Sequence, residues 1–416
     1  MRRNNFHLAF ALAGAIQFAG VASNAAAKGS AVSACPQTIT TCGCTITKPG
    51  NYTITTNLTG TASQDCIDIS AAKVNLRSDA FALTGAGGNS VGINVLKSAA
   101  NVNLQLADPT NPDNISVITG FDVGIEIQAS GAIVTGFDVS ENQSNGLLIK
   151  GSSCSVTDFV SDLNQPGNGV TISGASGCQL SDFTASGNGG VGLALVSAKS
   201  NTVTTFDADD VDVQGGNIGG GVTLTASSSN ILSGFSVDNN QVTGVTLTNS
   251  SKNQLFNFDA SGSVAGSGVA LSGSSSNAIF DFSAFDNSIY GVWLNGSSSN
   301  SVRFAITQGN MQAGVYLGCG TNGVGGSCGS GAKTSTKNIV TGIIAGNDTT
   351  PTIPLPEAHG IAADRGDLLN SLSGLTASGD SNADLDDENA NCGTNAWFAN
   401  SGAIVNPAGS PSCTEL

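Results

Sequence analysis

The feature that most constrains this chain is a short motif, Gly-(Val/Ile/Leu)-x-(Leu/Ile/Val), that returns about every 23 residues. It stands as Gly124-Ile-Glu-Ile, Gly146-Leu-Leu-Ile, Gly169-Val-Thr-Ile and Gly192-Leu-Ala-Leu. It continues from Gly221, Gly244, Gly268, Gly291 and Gly314, with Gly92 before the series and Gly360 after it. Successive spacings from Gly124 are 22, 23, 23, 29, 23, 24, 23, 23 and 46 residues, a series chance does not produce. Two further columns keep the same register. Asparagine falls nine residues after the glycine at Asn101, Asn201, Asn230, Asn253, Asn277 and Asn300, and Asn338 and Asn370 extend the column. Phenylalanine falls five residues later still at Phe183, Phe206, Phe235, Phe258 and Phe282, and four residues later at Phe137 and Phe159. The longest gap reads as one coil carrying two insertions, near 318–333 and 346–356.

Each unit contains two or three short alternating apolar runs separated by Ser, Asn and Gly turns, and no segment is long enough for a crossover helix. A unit of this size cannot bury its own apolar face, so neighbours must stack. Equivalent residues then lie about 4.8 Å apart, coil on coil. Inward phenylalanines form an aromatic stack, and turn asparagines pass amide hydrogen bonds between coils. The expected architecture is a parallel β-solenoid of about a dozen coils. Composition agrees: with 55 glycines in 416 residues and 11% charged side chains, long coiled coils and helical bundles are excluded. Collagen is excluded because the glycines follow no three-residue period.

Residues 1–27 read as a signal peptide: Arg2 and Arg3, an apolar stretch from Leu8 to Ala22, and small residues before a cleavage point after Ala25 or Ala27. All ten cysteines follow it, which in an exported chain predicts disulfides. No later segment reads as a membrane span. The net charge of −16 argues against nucleic acid and anionic lipid as partners, and also against polyuronates unless a divalent cation bridges the two. The expected layout is an N-terminal cap and first coil over 28–65, the solenoid over 66–378, and an acidic link with a C-terminal cap over 379–416.

The opening Pro49-Gly50-Asn51-Tyr52-Thr53-Ile54, then Cys66-Ile-Asp-Ile and Val74-Asn-Leu, join the repeat columns in a pattern that resembles the right-handed parallel β-helix family, the pectate-lyase-like superfamily, over about residues 45–378. The resemblance implies an all-β, single-stranded right-handed parallel β-helix with disulfide-stapled ends. That fold hosts lyases, hydrolases, epimerases, adhesins and structural proteins, so it assigns no function alone.

Cys154 and Cys178 both fall five residues before a column phenylalanine, which makes them vertical neighbours at a separation suited to a disulfide; the alternative is two buried thiols. Cys319 and Cys328 are expected to staple the inserted loop. Cys392 and Cys413 are expected to close the C-terminal cap, where Asn391-Cys392-Gly393-Thr394-Asn395-Ala396-Trp397 resembles the tail of several bacterial β-helix proteins. Cys35, Cys42, Cys44 and Cys66 would secure the N-terminal end, with their pairing open.

Three places could carry chemistry. Trp293 and Tyr316 share the x position of Gly-Val-x-Leu on consecutive coils, which alternation turns outward as a sugar platform. Tyr290 and His359 share the column before the glycine, and Glu357, Asp364 and Arg365 are near; the alternative is that the long insertions fold over these aromatics. Ala358-His359-Gly360 resembles the His-Gly segment of polygalacturonases, but the Asn-Thr-Asp and Arg-Ile-Lys elements of that family are missing, and an exposed turn histidine is the competing reading. The second place is the run Asp207, Asp209, Asp210 and Asp212, with Asp158 and Asp182 on neighbouring coils. It could hold Ca²⁺, which takes six to eight oxygens, act as a carboxylate pair in retaining glycoside hydrolysis, or be a solvated loop. The third is the stretch Asp380, Asn382, Asp384, Asp386, Asp387 and Glu388, a second calcium candidate or a solvated link. Lys150, Lys199 and Lys252 fall at different repeat offsets and make no basic groove, which disfavours a lyase or epimerase. The sequence therefore points to an exported β-helix that binds extracellular or cell-surface polysaccharide without catalysis. The enzyme alternative is a glycoside hydrolase, less readily a lyase, using Asp182, Asp209 or His359.

Overall fold

The repeat unit closes one coil per copy, and the coils stack in parallel. The computed structural model describes residues 33–78, 80–106, 115–209, 216–318, 333–346, 359–364, 366–379, 383–389 and 394–401. The signal-peptide expectation, Arg365, Asp210, Asp212, Glu357, Asp380, Asn382, the Asp384 side chain and the Cys319–Cys328 and Cys392–Cys413 pairings lie outside them.

The Gly-Val-x-Leu motifs build one sheet, of fifteen strands among the described residues, from Ser33–Ala34 to Ala383–Asp387. Its register carries one apolar column straight through the stack: Val170, Leu193, Val222, Val245, Val269, Val292, Val315 and Ile361. Fifteen strands exceed the dozen coils expected because both terminal segments add to the stack, Ser33–Ala34 and Cys44–Ile46 at one end and Ala383–Asp387 at the other.

The second sheet holds twenty strands among the described residues, including Ser155–Val160, Gln179–Thr184, Thr202–Asp207, Ile231–Ser236, Gln254–Asp259, Ala278–Ser283 and Ser301–Gln308. Each of these seven bends at one residue in the left-handed region: Asp158, Asp182, Thr205, Gly234, Asn257, Asp281 and Phe304, at φ between 52° and 64°. The bend resets the alternation. In Gln179–Thr184, Leu180 and Phe183 point in, while Ser181 and Asp182 both point out. This places the phenylalanine column inside, where Phe159, Phe183, Phe206, Phe235, Phe258 and Phe282 stack at centroid distances of 4.5–4.9 Å.

Hydrogen-bonded ladders tie the corners. The predicted asparagines form one: each backbone N–H and side-chain amide from Asn201 through Asn230, Asn253, Asn277, Asn300, Asn338 and Asn370 donates to the next Oδ1, reaching Asn395. A second runs through Asn142, Asn164, Asn188, Asn217 and Asn240. A serine ladder joins Ser227, Ser250, Ser274, Ser297 and Ser335. Cys154 and Cys178 are bonded to each other, and the N-terminal cysteines pair as Cys35–Cys44 and Cys42–Cys66.

Candidate functional site

The outward column of the first sheet reads Thr171, Ala194, Thr223, Thr246, Ala270, Trp293, Tyr316, Ala362 and Asp386. Trp293 and Tyr316 are therefore neighbours as expected, but they form no open platform. Tyr316 and Tyr290 are buried at 0% and 2% exposure, with their rings 4.7 Å apart, and Trp293 packs half-buried against them. The Trp293 indole N–H donates to the Gly318 carbonyl at 3.0 Å. The Tyr316 hydroxyl donates to Asp364, itself buried. Apolar aromatic faces with a polar tip close over when the tip finds an acceptor, and here Asp364 and Gly318 supply it.

His359 adjoins this cluster, in the column of Ala313 and Tyr290. It is half-buried rather than an exposed turn residue, and its Nδ1 lies 3.3 Å from Asp386 Oδ2. Burial pushes the imidazole below its ordinary value and raises the Asp386 carboxyl to about 7, helped by Glu388, Asp387 and Asp364. Both groups are thus driven toward their neutral forms, so the contact is a weakly charged pair in an enclosed setting. The Tyr290 hydroxyl has no hydrogen-bond partner among the described residues, and burial next to Asp364 raises its pKa.

The aspartates of the 29-residue coil divide by function within three residues. Asp209 faces a corner ladder in which Ser140, Asp162, Ser186, Asp209, Asp238 and Ser261 each accept the backbone N–H three residues past the phenylalanine position one coil on. Asp209 accepts Asp238 N–H at 2.6 Å, and desolvation lifts its carboxyl to about 7. It belongs to the scaffold. Among the described residues no group of three or more acidic, His or Cys side chains is placed to hold a metal. Asp207 instead points into open space on the other side.

That space is a groove running along the stack over the bent strands. One section of about 660 Å³ is lined by Leu106, Ile115, Asp158, Asp182, Asp207 and the edges of Phe159, Phe183 and Phe206, among others. A second of about 630 Å³ shares Asp207 and Gly234 with it and adds Asp259, Asp281, Phe304 and Ile306. Asp158 and Asp182 were legible as vertical neighbours. The groove itself was not, because it follows from the left-handed bend and no sequence column marks the surface on both sides of a bend. Phe304 is 61% exposed at φ 52° in a position that other coils give to Asp, Thr, Gly or Asn. A bulky residue there is strained by about 1–3 kcal/mol. Its ring lies over Gly342, where an added Cβ would meet Phe304 Cδ1 at 2.8 Å.

Stacked parallel coils, asparagine ladders and an internal phenylalanine stack define a right-handed parallel β-helix protein. Residues 123–285 match the family described as "Right handed beta helix region". Among solved structures the chain is similar to the Dettilon tailspike protein gp208, at 12% identity and a TM-score of 0.47, covering 80% of this chain and 62% of that one. It is similar to the Azotobacter vinelandii mannuronan C-5 epimerase AlgE4 A-module, at 13% identity and a TM-score of 0.42, covering 89% of both. The periplasmic alginate epimerase AlgG follows at 12% identity and 0.38, covering 83% and 77%. The chain thus spans about three fifths of the tailspike's length. No curated protein matches it.

Proposed function

We propose that this is an exported β-helix protein that binds a polysaccharide lengthwise in the groove over the bent strands, without cleaving it. The observation that carries the reading is Phe304: an exposed, strained aromatic ring at the end of an axial groove, held flat by a glycine in the next coil. Sugar rings stack on such faces, and strain of this kind persists where function requires it. Export is supported by the three disulfides among the described residues and by the N-terminal basic-apolar segment. The platform moves from Trp293 and Tyr316, which are enclosed, to the groove. Retention on a glycan panel, followed by a reducing-sugar assay, tests the reading. Phe304→Ala should weaken retention of any bound glycan at least tenfold, and the assay should show no turnover. Unchanged retention in Phe304→Ala would remove the groove from consideration.

The His359–Asp386 contact supports a second reading, a polysaccharide-degrading enzyme. Turnover that disappears in His359→Ala while Phe304→Ala retains it would establish that reading instead.

A further inference from the structure

The charge pattern of the groove names a ligand class, given the groove reading above. Two outward columns line it. The bend column runs Asp158, Asp182, Thr205, Gly234, Asn257, Asp281 and Phe304. The column two residues later runs Val160, Thr184, Asp207, Ser236, Asp259, Ser283 and Ile306. Taken coil by coil, successive coils present Asp158, Asp182, Asp207, none, Asp259 and Asp281, and the run stops at Phe304 and Ile306. At the opposite end Leu106 and Ile115 close the groove. One carboxylate is supplied per coil, from the bend column at Asp158, Asp182 and Asp281 and from the later column at Asp207 and Asp259, with a single gap at Gly234 and Ser236. Among the described residues no lysine or arginine lines either section; Arg303 stands just past the acidic run, beside Phe304.

Backbone preference accounts for only part of this. Aspartate tolerates the left-handed conformation, which suits Asp158, Asp182 and Asp281. Asp207 and Asp259 sit on ordinary strand positions, where aspartate is disfavoured and the neighbouring Thr184, Ser236 and Ser283 show that a hydroxyl fits. Unit charges about 4 Å apart repel by about 1 kcal/mol even in water, so a row of carboxylates along one groove works against stacking. A groove of stacked ring edges with one carboxylate per coil complements an extended 1,4-linked sugar chain whose rings advance about one coil each and carry a positive charge. We infer that the groove binds a polymer of amino sugars with free amines, each ammonium meeting an aspartate and the terminal ring lying on Phe304. The same charges repel uronate polymers.

Calorimetric titration of the full protein with four probes decides it: a glucosamine hexamer, an N-acetylglucosamine hexamer, a mannuronate hexamer and hexalysine. The glucosamine hexamer should bind at least tenfold more tightly than the other three, and its affinity should fall with added salt. Asp182→Asn/Asp207→Asn/Asp281→Asn should lose at least tenfold and flatten the salt dependence, with an unchanged or higher Tm. Glu141→Gln, an exposed carboxylate outside the groove, should change nothing. If the N-acetylated or uronate hexamer binds as well and the aspartate variant loses it, the groove reading survives and the amine assignment falls. If hexalysine binds as tightly and Phe304→Ala leaves all binding unchanged, the site is a charge patch and the sugar assignment falls. If no hexamer binds, the groove reading itself is wrong.

Discussion

Asp367 shows what an acidic residue does at the end of a ladder. Its Oδ1 accepts the N–H of Ser335, the last serine of the column, while its other oxygen is buried without a hydrogen-bond partner among the described residues. Burial first, then Asp364 and Asp387, lifts its carboxyl to about 7 from an ordinary 3.8. The native state therefore keeps a proton that the unfolded chain releases near pH 4. Stability from this group is greatest below that value and falls as pH rises toward 7. Asp209 and Asp386 act in the same direction. Tm should accordingly decline between pH 5 and pH 8. Asp367→Asn keeps an oxygen for Ser335 and removes the charge, so it should raise Tm at pH 8 and approach the parent at pH 5. A variant with the parent's full decline would refute the assignment. Residues of this kind were not legible as ladder ends. The sequence shows Asp364 and Asp367 as two acids near an insertion, and only the stacking of coils reveals that Asp367 caps the serine column.

At the level of the single coil, the ladders carry the corners. Asn253 accepts from both the N–H and the amide of Asn230, and donates to Ser227 O and Asn277 Oδ1, all in buried surroundings. Asn253→Ala strands several of these groups at once, and each buried group left without its partner costs about 1–3 kcal/mol. A loss of about 3 kcal/mol or more in chemical denaturation is expected. Asn51→Ala, which removes an exposed Asn75–Asn51 contact, should stay within about 0.5 kcal/mol of the parent. Comparable losses in the two would discredit the ladder as a stabilising element. This ladder and the phenylalanine stack were readable as columns because every coil repeats one residue type in one slot. The second asparagine ladder left the same kind of mark, four residues before the glycine at Asn142, Asn188, Asn217 and Asn240, with Asn164 one residue out of step. The Ser140–Asp162–Ser186–Asp209–Asp238–Ser261 ladder was hidden because it mixes two residue types that share only an acceptor oxygen. Asp209 therefore reads in the sequence only as part of an acidic loop, open to calcium, to catalysis or to solvent.

A solenoid contacts only its own neighbours along the stack, so its ends decide where unfolding begins. At the C-terminal end the inward column that elsewhere holds Leu294, Leu317 and Ala363 finishes on Asp387, which is buried. Its carboxylate accepts the Trp397 indole N–H at 2.8 Å, the Asn395 amide at 3.1 Å, and both the backbone N–H and the amide of Asn389. Trp397, 2% exposed and paired with Leu372, fills the core beside it. The polar-lined plug ends the apolar column and covers the apolar core at the last described coil. Trp397→Ala removes both volume and donor, at about 3–5 kcal/mol for the coils it touches. Because coupling runs from neighbour to neighbour, the effect should stay local. Hydrogen exchange should accelerate across residues 359–398 while the Phe159–Phe282 coils keep their protection. Trp397→Phe, which keeps most of the ring and loses the N–H, should show a smaller change in the same place. The exposed edge of Trp397→Ala should also promote concentration-dependent self-association, visible by light scattering. Acceleration spread evenly along the whole stack would show instead that the solenoid unfolds as one cooperative unit, with no separate role for this end.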